Sequence, residues 1–279
     1  MLISQNIFSN SIKELKLTLE LDKNGAKYTV SLKGHLISIP LYFSENSEPG
    51  LQPRHFGAKP ATKVPMRSGD FVGDVSRGGS CNAFEVKLNP HCNGTHTETS
   101  WHIGNAEHPP ISVSDQLIYF AKLITVTPQK FVAGDDYSVQ LDEEDLVIGE
   151  SQIKKAIGDS KNIEALVVRT FPNSELKKTA NWGEDIPSPF FTKQAAQFIQ
   201  SINIKHLLVD FPSVDKLYDD GHLMNHKIFF DGDIKTITEM VYVSNYIKDG
   251  DYALSIGVAP FVLDAAPSDV RLYELTEQA

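Results

Sequence analysis

Short apolar runs of strand length recur along this chain, and two of them follow a segment with helical spacing. Residues 117–126, 165–168 and 207–209 are such runs. Ala195, Phe198, Ile199 and Ile202 fall at i, i+3, i+4 and i+7, which is one face of a helix. Residues 152–157 carry a weaker version of the same spacing. A helix of this kind must bury its apolar stripe, and the following strand offers the surface, so the order predicts helices packed on a mixed sheet. Ser188 and Pro189 predict the start of the second helix, as N-cap and first helical residue.

Further strands are expected elsewhere. Tyr28, Val30 and Leu32 alternate with polar residues, and Leu36, Ile37, Ile39 and Leu41 continue the apolar pattern. In residues 81–88, Phe84, Val86 and Leu88 alternate with Glu85 and Lys87, which predicts a strand buried on one face. Residues 252–256 and 270–275 add two more strands near the C-terminus. Residues 44–70 and 171–187 are rich in turn formers and read as loops. Ordered loops of that length often line sites. Neither loop divides compositionally different halves. The chain therefore reads as a single domain over residues 1–279, with 1–34 as a peripheral extension.

Charge and composition exclude several functions. The net charge of −10 argues against a nucleic-acid partner, which needs clustered Lys and Arg. Two cysteines, Cys81 and Cys92, are too few for a disulfide framework and suit a reducing compartment. No apolar stretch reaches the length needed to span a bilayer, and the first twenty residues do not form a signal peptide. The expectation is a cytoplasmic protein with a small-molecule substrate and neither a nucleic-acid nor a membrane partner.

The chemistry concentrates in residues 89–102, NPHCNGTHTETSWH. Three of the nine histidines, His91, His96 and His102, lie there with Glu98. Imidazole and carboxylate together suit Zn²⁺ or Mn²⁺. Asn93 and Gly94 permit a sharp turn, and in an extended backbone His96 and Glu98, two apart, share a side. A lone histidine in such a loop is usually solvated or bonded to a backbone carbonyl. On residue types and spacing alone, both readings of the cluster stand. His35, His55, His108, His206 and His222 read as structural or exposed, and Trp101 as a pocket wall or an ordinary packed aromatic.

The segment resembles the signature of the cyclase-type metal-dependent hydrolases, the family that includes bacterial kynurenine formamidase and isatin hydrolase. That pattern is His-x-Gly-Thr-His-x-Asp-x-Pro-x-His. Gly94, Thr95 and His96 match its centre and His102 its last position, while Glu98 replaces the Asp and Ser100 the Pro. The first His of the pattern falls on Cys92, with His91 one residue further away. His91 is taken as the first ligand and Cys92 as its rival. Residues 209–215 resemble the family's Asp-x-Pro-Ser-x-Asp stretch, and His226 and Glu239 fit its later His and Glu.

The resemblance implies an α/β fold, a swivelling β/β/α-type domain with a mixed or barrel-like sheet flanked by helices. It implies one or two divalent ions, Zn or Mn. His91, His96 and Glu98 would hold the first, and Glu98, His226 and Glu239 the second. His102 would be the catalytic proton shuttle, and the assembly a homodimer or homotetramer. The reaction implied is hydrolysis of an amide-type C–N bond, as in an arylformamide. A cyclic-amide hydrolase of isatin type and a metal-binding protein without turnover are the alternatives.

Overall fold

Residues Ala165–Thr170 are buried at every position because they form a central strand covered on both faces. The structure, a computed structural model, describes residues 19–278 except 24, 47–51, 111–115, 132–133, 135 and 233. Its principal strands are β1 (Leu19–Lys23), β2 (Ala26–Val30), β3 (His96–Thr99), β4 (Tyr119–Val126), β5 (Ala165–Thr170), β6 (His206–Val209), β7 (Thr236–Glu239), β8 (Gly250–Val258) and β9 (Ala265–Glu277). The helices that pack on them are α1 (Glu150–Ile157), α2 (Lys193–Ser201) and α3 (Met224–Phe229).

Seven strands close into a barrel in the order β9-β8-β4-β5-β6-β7-β3, with β3 pairing back onto β9. Strands β4, β5, β6 and β7 run parallel, and the other junctions are antiparallel. Successive residues of a strand face opposite sides. Ala165, Val167 and Leu208 accordingly join Leu123, Leu254 and Leu272 in one cluster, the barrel interior. Leu166, Val168, Leu207 and Val209 join Ile153 and Ile157 of α1 and Ala195 and Ile199 of α2 in another, the layer beneath the helices. Each fully buried Leu or Val there contributes roughly 1.5–3 kcal/mol relative to exposure. The expected barrel-like mixed sheet with flanking helices is present.

The β1–β2 hairpin extends the sheet from β9, with Val30 opposite Leu275. It lies within the stretch read as an extension; residues 1–18 lie outside the described residues. No helix among the described residues is long and apolar enough to cross a membrane.

Two local expectations need correction. Helix α2 begins at Lys193, not at Pro189, and Thr192 is its cap, accepting from Ala195 N at 3.3 Å. Residues Phe190–Phe191 are instead a buried strand paired with Val147 and Ile148, and that pairing overrides the Ser-Pro start signal. The strand in residues 81–88, Phe84–Lys87, is exposed throughout. It pairs only with Thr62–Pro65 in a two-stranded ribbon, so neither face is covered.

Candidate metal centre

Strand register assembles the centre. Glu239 on β7 stands opposite His96 on β3, and Ile237 stands opposite Glu98. Directly opposed residues share a face, so His96, Glu98 and Glu239 lie on the side of Ile237, which packs in the layer under the helices. Thr97 and Thr238 take the other face, their hydroxyls 2.8 Å apart. The centre is therefore outside the barrel, on its helix side, where α3 presents His226.

The loop before β3 folds tightly to bring His91 in. Asn93 Oδ1 accepts from Asn89 N at 2.8 Å. Gly94 has φ +76°, and a Cβ there would lie 2.6 Å from Leu41 Cδ2, so the position requires glycine. Thr95 Oγ1 accepts from Ile39 N at 2.8 Å and donates to Met240 O at 2.5 Å, tying the loop to the end of β7.

Glu98, 1% exposed, is the hub. His91 Nδ1 lies 3.0 Å from its Oε2 and His226 Nε2 2.8 Å from its Oε1. His96 Nε2 lies 3.5 Å from Glu239 Oε2, and His226 Nε2 3.8 Å from Glu239 Oε1. Despite these short distances, neither Glu98 oxygen nor His96 Nε2 has a partner in hydrogen-bond geometry among the described residues. Buried polar atoms are normally satisfied. Here three such atoms are left over within one small cluster, which suits a bound cation.

Two overlapping groups result, His91–Glu98–His102 and His96–Glu98–Glu239, each offering ligand atoms within 4.8 Å of one another. Both groups share Glu98, and the His91 and His96 rings also stand side by side, their centroids 5.3 Å apart. The donor set of neutral imidazole and carboxylate fits a divalent cation such as Zn²⁺ or Mn²⁺.

The partners behind these groups fix their ring orientations. His96 Nδ1 donates to Gly94 O at 3.1 Å, which leaves Nε2 as the lone-pair nitrogen. His226 Nδ1 lies 2.6 Å from Asp215 Oδ2, and Asp215 Oδ1 accepts from Tyr137 Oη and Asn225 N, each at 2.7 Å. Asp264 Oδ2 lies 2.8 Å from His91 Nε2 and 3.2 Å from His102 Nδ1.

With only protons to balance the carboxylates, burial pushes His91 down, but the hydrogen bond to Asp264 and the close carboxylates of Glu98 and Asp264 raise it to about 10. His226 is likewise raised well above its ordinary value, burial being outweighed by Glu98 and Asp215. Burial pushes Glu98 up, yet contacts with His226 and His91 hold it well below the carboxylate range. The site calls for added positive charge.

A cavity of about 490 Å³ opens beside it, lined in part by His91, Cys92, Glu98, His102, Phe56 and Tyr218. The Phe56 and Tyr218 rings, 6.1 Å apart, are its aromatic walls, and Trp101 is not among the lining residues. Phe56 (φ 57°) and Leu223 (φ 45°) on the rim occupy the left-handed region, where non-glycine strain tends to mark ligand sites.

All six sequence-assigned residues meet at this site. His222 is exposed, His108 is exposed and His35 is half-buried. His55 differs from the expectation: it is buried and lines the cavity, and burial with the neighbouring His96 holds it down at about 4. Sequence reasoning missed Asp264 and the aromatic walls. Cys92 also reaches the cavity, but it belongs to neither ligand group.

A family model described as putative cyclase matches residues 16–216, and the chain belongs to that family. The chain is 28% identical over 193 residues to a kynurenine formamidase of Bacillus thuringiensis (strain Al Hakam), covering 69% of this chain and 79% of that protein. Among solved structures, a predicted metal-dependent hydrolase from Bacillus stearothermophilus superposes with a TM-score of 0.56 at 17% identity, over 86% of this chain and 98% of its own. Isatin hydrolase A from Labrenzia aggregata superposes with a TM-score of 0.57 at 15% identity, over 86% and 93%. These structural likenesses establish a shared fold. The family match ends short of His226, Glu239 and Asp264.

Proposed function

We propose that this chain is a metal-dependent hydrolase that cleaves an amide-type C–N bond, with an arylformamide such as N-formylkynurenine as the substrate class. The observation that carries the reading is the convergence of His96 Nε2 and both Glu98 oxygens, buried and unbonded, beside an aromatic-walled cavity. The kynurenine formamidase relative supports the choice of bond and substrate.

His91, His96, Glu98, His226 and Glu239 would hold one or two divalent ions, Zn or Mn. A divalent cation in such a site lowers the pKa of water from about 15.7 to about 7 and polarises a carbonyl. His102, half-exposed on the cavity wall, takes a proton from the attacking water and returns it to the leaving amine. The C–O bond forms as the C–N bond breaks, giving formate and the free aryl amine. Phe56 and Tyr218 flank the aryl ring at the mouth.

The same aromatic walls suit a cyclic amide of isatin type, which would open to one product rather than two. A metal-binding role without turnover calls for an occluded cavity, and this one is open to the surface. The free thiols of Cys81 and Cys92 fit a cytoplasmic location, and the family resemblance supports a homodimer or homotetramer.

The test is elemental analysis of the purified protein together with assays on N-formylkynurenine, simple formanilides and isatin. Stoichiometric metal with formate release supports the formamidase reading. Isatin opening without formate release selects the cyclic-amide reading. Bound metal with no turnover on the panel overturns both.

A further inference from the structure

Asp264 precedes β9 and is held beside the centre by backbone pairing. Its carbonyl accepts from Thr99 N at 3.2 Å, and the next residue, Ala265, stands opposite Glu98. The carboxylate is thus fixed relative to the hub of the metal centre by two neighbouring strands. One oxygen, Oδ2, meets both His91 Nε2 at 2.8 Å and His102 Nδ1 at 3.2 Å. The two imidazole rings lie 4.1 Å apart, tilted by 30°.

An acceptor-only group in this position dictates tautomers. When His91 gives up a proton to bind a cation, the proton it keeps is the one on Nε2 facing Asp264, and Nδ1, the atom 3.0 Å from Glu98 Oε2, supplies the lone pair. His102 must place its proton on Nδ1, which leaves Nε2 as the basic nitrogen. We propose that Asp264 is a positioning residue that sets ring orientation and tautomer of two imidazoles at once, His91 toward the metal and His102 for proton transfer.

The proposal rests on the hydrolase reading for the His102 half only; the His91 half concerns metal binding. Exposed carboxylate–imidazole pairs often contribute little, and the Asp264 side chain is 37% exposed. What separates this carboxylate from a surface pair is the sharing of a single oxygen by two site imidazoles on a backbone clamped to Glu98. Carboxylates behind metal-bound histidines typically change metal affinity or activity by about 10- to 100-fold when removed.

The experiment compares the full chain with Asp264→Ala, using circular dichroism to verify folding. Zn²⁺ affinity is measured by competition with a chelator, and kcat and KM on a formanilide. The expected result is metal affinity weakened about 10- to 100-fold, kcat reduced by a similar factor, and KM within about twofold. In the His102→Ala background, Asp264→Ala should lower kcat little further, because the two act together. Unchanged affinity and kcat overturn the proposal. So does outright loss of stoichiometric metal, which would make Asp264 a ligand, or a change in KM alone, which would make it a substrate contact. If the parent binds Zn²⁺ but hydrolyses nothing, the hydrolase reading fails and the chelator competition alone decides on His91. Should Asp264→Ala not fold, Asp264→Leu, of similar size and without an acceptor, replaces it; a severalfold loss of affinity supports the proposal and parental affinity overturns it.

Discussion

Glu239 faces His96 across the β3–β7 pair, with His96 Nε2 3.5 Å from Glu239 Oε2. Both side chains are almost fully buried, and neighbouring Glu98 offers two unbonded oxygens. His96→Ala and Glu98→Gln should each abolish stoichiometric metal binding while the barrel still folds. Elemental analysis with circular dichroism reads both properties. Full metal content in either variant would remove the ligand assignment. Glu98→Asp shortens the ligand by one methylene and should also lose metal.

His102→Ala should behave differently. Metal content should match the parent, while kcat falls by about 10²- to 10⁴-fold, the usual contribution of a positioned acid–base group. A fully active variant would exclude the shuttle role.

Metal uptake should release protons. In the metal-free centre His91 sits at about 10 and His226 well above its ordinary value, so both are protonated at pH 7. A metal ligand must be neutral imidazole, so binding displaces those protons and affinity rises with pH through the neutral range. Calorimetric titration in two buffers of different ionisation enthalpy measures the number released. No buffer dependence would contradict the assignment of these two imidazoles.

The aromatic walls should govern substrate binding rather than chemistry. An aromatic contact is worth about 0.5–1.5 kcal/mol beyond burial. Phe56→Leu and Tyr218→Leu should therefore raise KM for an arylformamide by about 2- to 12-fold with metal content unchanged, and should leave a small aliphatic formamide unaffected. Equal effects on both substrates would argue against ring recognition.

Away from the centre, His206 packs on Tyr119 at 4.0 Å between ring centroids, and its Nδ1 lies 2.8 Å from Thr236 Oγ1. Burial is the main cause that holds it down at about 4. The unfolded chain, with a histidine near its ordinary 6.5, binds this proton first as pH falls. Stability from this group is thus intact above 6.5 and is lost as pH drops toward 4, to the extent of ~3 kcal/mol. Urea unfolding between pH 7 and 4.5 should show this slope, and His206→Gln should flatten it.

The cluster at residues 91–102 stood out by local composition and by the His-x-Glu pair on one strand face, whereas His226 and Glu239, thirteen residues apart, stood out only through the family resemblance. Apolar runs at 165–168 and 207–209 also marked the central strands. Asp264 gave no such signal, since its role arises from pairing between residues far apart in sequence. His55, Phe56 and Tyr218 reach the cavity from loops, where no periodicity reports direction. The misplaced start of α2 has a similar origin: Phe190 and Phe191 form their strand through partners some forty residues earlier.

Barrel closure through β9 also sets an order of assembly. Strand β3 carries His96 and Glu98, yet its β9 neighbour comes more than 160 residues later. A nascent chain exposes most of its ligands long before Asp264 and Ala265 emerge to lock them. Contacts of such separation form late and slowly. The complete arrangement, with all the ligands and Asp264 in place, therefore comes together only after that strand has been made.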